Sequence, residues 1–231
     1  MSRQSLMSRF LHIGAWAAFH AGARLTVRGR ENIPPAGPVI VAVNHTHNMD
    51  PALIGVVMPW PVRFLAKREL VTEGNAITRW IVRTWGLIPI TREGADRQAL
   101  DVARRYLREG GAIGMFPEGT RSRDGRLGEA RPGIAYMAAS AGAAVLPVGI
   151  QGFAGMGHNP LRAVRRPRVT VRIGPSLAPP APESSRDRES LARATADIMR
   201  AVAALLPEHM RGYYGDDSHR TQSAETRADR Q

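Results

Sequence analysis

Apolar positions along this chain follow two periods that alternate. Short runs rich in β-branched residues stand at 25–27, 38–43, 62–66, 87–90, 112–116, 144–150 and 168–173. Between them, apolar residues recur at helical spacing over 50–57, 75–85, 96–109, 133–141 and 187–206, the last stopped by Pro207. Strand-like runs separated by helical stretches predict an α/β fold with a largely parallel central sheet flanked by helices.

The two ends read differently. Leu6, Phe10 and Ile13, and then Leu11, Trp16 and Phe19, fall at helical intervals. The 14 mostly apolar residues from Phe10 to Ala23 are flanked by Arg9 and Arg24. Spanning a bilayer takes roughly 20 apolar residues, so this stretch is too short to cross one. Residues 1–23 therefore predict an amphipathic helix, lying on an anionic membrane or packed on the adjoining domain. Residues 24–207 form the predicted domain, with 178–185 (APPAPESS) as an internal linker, and 208–231 read as a disordered tail.

Composition narrows the chemistry. The 231 residues are 43% hydrophobic, enough for one sizeable core. Cysteine is absent, which excludes disulfides, thiolate metal sites and a cysteine nucleophile. The formal net charge is +12, carried by 31 arginines and one lysine, Lys67. A coding bias toward arginine accounts for much of that ratio. The positive balance itself favours anionic partners, whether a membrane surface, phosphorylated substrates or nucleic acid.

Charged residues collect where the strand runs end. The run 39–43 leads into Asn44-His45-Thr46-His47-Asn48-Met49-Asp50-Pro51. His45 and Asp50 stand five apart across a turn, so the carboxylate can reach imidazole Nδ1 and leave Nε2 as a general base. Asp50 before Pro51 also predicts a helix N-cap. The run 112–116 leads into Pro117-Glu118-Gly119-Thr120-Arg121-Ser122, where Glu118 can bond a hydroxyl and Arg121 can hold a phosphate as a fork. Gly86–Arg92 ends in Arg92, Lys67 closes the run 62–66, and Pro147 interrupts a buried strand-like run where proline is unusual. No Gly-x-Ser-x-Gly elbow is present, so direct transfer to an acceptor hydroxyl fits better than a covalent acyl-enzyme.

Four blocks in order, Asn44–Asp50, Gly86–Arg92, Phe116–Ser122 and Val145–Ile150, resemble those of the glycerolipid acyltransferases, most of all the 1-acylglycerol-3-phosphate acyltransferase branch. Lys67-Arg68-Glu69-Leu70 is similar to a further family segment. The resemblance covers residues 24–177. It implies the α/β fold of the glycerol-3-phosphate acyltransferases. It implies His45 as base and Asp50 as its orienting partner, with Glu118, Gly119 and Thr120 in the acceptor pocket. Arg121, Arg92 and Lys67 would sit on the acceptor phosphate, and Pro147 on the acyl side. The acyl donor would be acyl-CoA or acyl-carrier protein and the acceptor a lysophospholipid. No metal or cofactor and no nucleic acid is implied. The location would be the cytoplasmic face of the cell membrane, held peripherally. The chain departs from the family at His47, where a small hydroxyl residue is common, and at Pro89 and Thr91, where an aromatic and an acid are common. These differences bear on which lysolipid is the acceptor.

Two other classes are weighed against this. His45-Thr46-His47 followed by Asp50 superficially resembles a metallohydrolase signature, but its aspartate falls one residue late and Pro51 stands where a histidine is needed. The acid-free run Arg162, Arg165, Arg166, Arg168, Arg172 could meet nucleic-acid phosphates, but no aromatic residues interleave with it; a solvated or membrane-facing strip is the better reading.

Overall fold

The computed structural model describes residues 22–67, 87–90, 97–153 and 166–215. Seven strands form its sheet: β1 (Arg24–Arg28), β2 (Val39–Val43), β3 (Val62–Lys67), β4 (Ile88–Ile90), β5 (Ala112–Met115), β6 (Ala144–Gln151) and β7 (Arg168–Ile173). Their order is β1-β7-β6-β2-β5-β3-β4. Five strands, β2 to β6, run one way with parallel pairing. The direction reverses once, at the antiparallel pair β6–β7, and β1 then follows β7 in parallel. The α/β class expected from the pattern is the observed one, and all seven strand-like runs match observed strands to within one residue at each end.

Both faces of the sheet are covered, so its central strands are apolar throughout. All five residues of β2, Val39-Ile40-Val41-Ala42-Val43, are buried, as strands sandwiched in an α/β protein require. Ile40 and Ala42 point to one layer, formed by α2 (Arg97–Arg108), α3 (Gly133–Ala141) and α4 (Arg188–Ala204). Val39, Val41 and Val43 point to the other, where α1 (Asp50–Val57) packs. Each helix meets the sheet through a readable stripe. Ala99, Ala103 and Leu107 recur every four residues on α2, and Thr195, Ile198, Met199, Val202 and Ala203 line α4. Full burial of one such Ile or Leu contributes roughly 1.5–3 kcal/mol. Asp187 caps α4 by accepting from Ser190 N–H at 2.8 Å. Gly142, in the left-handed region at φ 62°, ends α3.

Two expectations change. The tail does not begin at 208: Glu208–Met210 and Gly212–Tyr214 form 3-10 turns against the domain. Met210 is buried in the core, its carbonyl accepts from Leu127 N–H at 2.9 Å, and the Tyr214 hydroxyl accepts from Ala130 N–H at 3.0 Å. Burial of the apolar Met210 and anchoring of Tyr214 outweigh the polar composition of the chain's last residues. The linker is partly structured too, since Pro182–Arg186 is a 3-10 turn packed between α3 and α4. Pro147 is tolerated inside β6 because β6 changes partner there. Val145 bridges Leu177, pairing with β7 starts at Val148, and the Pro147 carbonyl accepts from Gly174 N–H on that side. The missing N–H faces the same gap and costs no bond to β2. The predicted helix over residues 1–23, apart from its last two residues, the predicted helix over 75–85, the part of the predicted disordered tail beyond 215 and the segment holding Arg162 and Arg165 lie outside the described residues. Among the described residues, no helix is long and apolar enough to cross a membrane.

Candidate active site

The C-terminal ends of parallel strands are where open α/β sheets present ligand-binding groups, and β2 and β5 lie side by side here. Asn44, one residue past β2, is buried and locks that end. Its amide donates to the Ile150 carbonyl at 2.9 Å, and its Oδ1 accepts from Ile150 N–H at 2.7 Å. The side chain thereby extends the β2–β6 ladder and fixes where His45 begins.

His45 Nδ1 lies 2.9 Å from Asp50 Oδ2, with the carboxylate fully buried and the imidazole 17% exposed. The same oxygen accepts from Thr46 N–H at 2.8 Å and His47 N–H at 2.7 Å. An oxygen holding two backbone donors is an acceptor for the third as well, so Nδ1 carries the hydrogen and Nε2 presents its lone pair. Asp50 does not cap α1 as expected. Met49 occupies the cap position, and Asp50 is the first helical residue with its carboxylate turned back into the loop. The loop donors and the imidazole outcompete the helix N–H groups for it. Asp50 Oδ1 and Thr46 Oγ1 are buried with no hydrogen-bond partner among the described residues.

The imidazole is also held from its face. Phe116 stacks on it at 4.0 Å between centroids with 19° between planes, and Phe64 of β3 stacks on Phe116 at 5.5 Å. Gly114 makes room for this stack, since a Cβ there would lie 2.1 Å from Phe64 Cε1. His47 turns away, stacked on Phe153 with its Nδ1 accepting from Met49 N–H at 3.2 Å. Among the described residues no three His, Asp or Glu side chains converge as a metal-ligand group.

Glu118 is brought to His45, though in an unexpected role. Its Oε1 accepts from the His45 backbone N–H at 3.1 Å, and its Oε2 accepts from Gly128 N–H at 2.8 Å. It is buried, and burial pushes its carboxyl above the ordinary carboxylate value, opposed by those two backbone donors. Both oxygens are thus taken up in tying the β5 loop to the β2 loop. Ser122 N–H adds a bond to the His45 carbonyl at 2.8 Å, leaving Arg121 exposed one residue away. Gly119 (φ 70°) and Thr120 are exposed on the same turn. A Cβ at Gly119 would come within 3.2 Å of Arg131 Nε, which puts a second guanidinium beside the turn. Arg131 carried no motif signal and emerges only from the fold. Lys67 ends β3, a strand paired to β5, and nothing further is described of its side chain. Arg92 lies outside the described residues. Pro147 is buried inside β6 opposite Ala42, not at the strand ends with His45.

An open α/β sheet with a paired His and Asp at its central strand end, beside an arginine-bearing turn, has the build of an enzyme that activates a hydroxyl near an anionic group. Residues 24–151 match the Acyltransferase family model, and the chain belongs to that family. It is similar to the 1-acyl-sn-glycerol-3-phosphate acyltransferase of Borreliella burgdorferi, 32% identical over 145 residues that cover 62% of this chain and 56% of that protein. It is also similar to 1-acyl-sn-glycerol-3-phosphate acyltransferase alpha of Mus musculus, 30% identical over 169 residues, 70% of this chain and 58% of that one. The chain thus spans little more than half the length of these curated relatives. Its fold is that of the crystal structure of the 1-acyl-sn-glycerophosphate acyltransferase, PlsC, from Thermotoga maritima. The TM-score is 0.67 and the identity 24%, over 89% of this chain and 82% of that one.

Proposed function

We propose that this acyltransferase moves a fatty acyl group from acyl-CoA or acyl-carrier protein to the free hydroxyl of a lysophospholipid, 1-acylglycerol-3-phosphate, giving phosphatidic acid. The observation that carries the reading is the 2.9 Å contact between His45 Nδ1 and Asp50 Oδ2, with that oxygen already fixed by two backbone donors. His45 Nε2 takes the proton of the acceptor hydroxyl as its oxygen attacks the thioester carbonyl. The tetrahedral intermediate collapses, the carbon–sulfur bond breaks, and the imidazolium returns the proton to the departing thiolate. Asp50 holds the imidazole and stabilises its cation; Oδ1, with no hydrogen-bond partner among the described residues, leaves part of the carboxylate charge free for this. The step consumes only the two substrates.

Arg121, joined by Arg92 and Lys67, holds the acceptor phosphate, and Gly119 and Thr120 shape the turn against it. Glu118 supports the reaction through the His45 backbone rather than by touching the acceptor. The names of the relatives from Borreliella burgdorferi and Mus musculus support the choice of acceptor. A lipid acceptor and product, together with a net charge of +12, favour a peripheral position on an anionic membrane, at its cytoplasmic face.

The test is incubation of the purified protein with a labelled acyl-CoA and lysophosphatidic acid, beside His45→Ala. Phosphatidic acid should form, and loss of the general base should lower the rate by roughly 10²–10⁴-fold. Thiol release that requires a different lysolipid would move the acceptor and keep the chemistry. No thioester consumption with any acceptor, from either donor, would end the acyltransferase reading.

A further inference from the structure

The single reversal of the sheet has a consequence for its charged surface. Because β7 runs antiparallel to β6 and β1 runs with β7, the first residues of β1 and β7 lie at the end of the sheet where β2 and β6 finish. Arg24 pairs in register with Arg168, Thr26 with Thr170 and Arg28 with Arg172. Alternate residues of a strand share a face, so these six side chains form a ladder of two arginine rungs and one threonine rung. The opposite face of β7, with Val169, Val171 and Ile173, is buried in the core.

Like charges placed opposite each other on neighbouring strands destabilise the pairing. Arg172 is partly relieved by bonds to Gln151 Oε1 and the Leu205 carbonyl, both at 3.3 Å. Arg24, Arg28 and Arg168 are exposed and form no ion pair among the described residues. Charges that blunt a sheet edge against aggregation belong on the outermost strand. Here half of them stand on β7, which is an inner strand.

The Arg24–Arg168 rung adjoins the His45 end through direct contacts. Gly152, just past β6, lies so close to Arg168 that a Cβ would meet the Arg168 carbonyl oxygen at 2.1 Å. Phe153 comes next in the chain and stacks on His47. Two strand spacings, about 10 Å, separate the Arg168 side of the rung from β2, and three, about 14 Å, separate the Arg24 side.

We propose that the exposed arginines of the β1–β7 ladder, led by Arg24 and Arg168, are the surface through which this protein rests its active-site end on a bilayer of anionic phospholipids. Charge complementarity is the first argument, and the proposed lipid acceptor, on whose reading the choice of occupant rests, is the second. The third is continuity: the mostly apolar residues 10–23, flanked by Arg9 and Arg24, run directly into the ladder at this rung.

The experiment is sedimentation of the full chain with vesicles of phosphatidylcholine alone, and of phosphatidylcholine mixed with phosphatidylglycerol, with no substrate present. Wild type should bind the mixed vesicles more tightly, by an amount that falls with salt. Arg24→Gln combined with Arg168→Gln should weaken that binding about thirtyfold, at a typical contribution per arginine near a charged surface. Arg193→Gln combined with Arg200→Gln removes the same charge from exposed sites on α4 and should change it less than about threefold. Equal losses in the two double variants, no loss in the first, or equal binding of wild type to both vesicle types would overturn the proposal. So would tighter binding of the ladder to a soluble acidic protein than to the mixed vesicles. Thermal unfolding of each variant separates lost folding from lost binding. Because no acyl transfer is measured, failure of the lysolipid reading shows in the enzyme assay and failure of the docking surface shows here.

Discussion

Asp50 Oδ2 receives three donors, two from the backbone and one from His45. Replacing the carboxylate therefore disturbs both the loop and the base. Asp50→Asn places an amide where three donors converge, and its acyl-transfer rate should fall by roughly 10²–10⁴-fold; measured kcat with lysophosphatidic acid near that of wild type would contradict the proposed role. Glu118 offers a pH test. Burial raises its carboxyl above the ordinary carboxylate value, so the folded state holds this proton more tightly than the unfolded chain does. Its contribution is fully present below the unfolded value and is lost as pH rises through the folded one. Unfolding free energy should thus carry a component that declines from about pH 4.5 upward, absent in Glu118→Gln. A difference between the two proteins that is flat across that window would show the shift to be absent. At this scale the sequence was legible where partners are near in the chain. His45 and Asp50 are five residues apart, and a turn suffices to join them. The Glu118–His45 bond spans 73 residues and depends on β2 and β5 lying side by side.

Two elements meet through Asn44, whose amide closes both the donor and the acceptor of Ile150. Asn44→Ala leaves two buried backbone groups without partners and should destabilise the protein by about 2–4 kcal/mol, read from the denaturant midpoint at unchanged slope. β5 is coupled to the imidazole by packing. In Gly114→Ala the new methyl meets Phe64, Phe64 presses on Phe116, and Phe116 is the ring stacked on His45. Overpacking of this kind costs about 1–3 kcal/mol, and activity should fall with it. Phe64→Leu in the same chain should restore stability; a double variant no better than Gly114→Ala would place the strain elsewhere. The elements themselves were legible because their signals are local, such as the four-residue recurrence of Ala99, Ala103 and Leu107 or the cap at Asp187. Asp50 carries the local pattern of a cap, while the stronger demand on its carboxylate comes from the loop before it.

On the scale of the whole molecule, the segment after Pro207 closes the layer of α2, α3 and α4. Met210 is buried among their residues, and Tyr214 reaches Ala130. Met210→Ala should cost about 2–5 kcal/mol, whereas a truly disordered tail would tolerate it without a change in melting temperature. The α/β class, the element order and the His45–Asp50 pair were determined by the sequence by itself. Each of these rests on hydrophobic period, turn chemistry or a contact a few residues long. Tertiary structure alone decided that the sheet reverses at β6–β7, that the reversal brings Arg24 and Arg168 to the His45 end, and that Glu118 braces a backbone. It also decided that Arg131 stands beside Gly119. The physical reason is common to all of these. Strand order and register depend on burying both faces of the sheet at once, a sum over the whole core that no single stretch of chain contains.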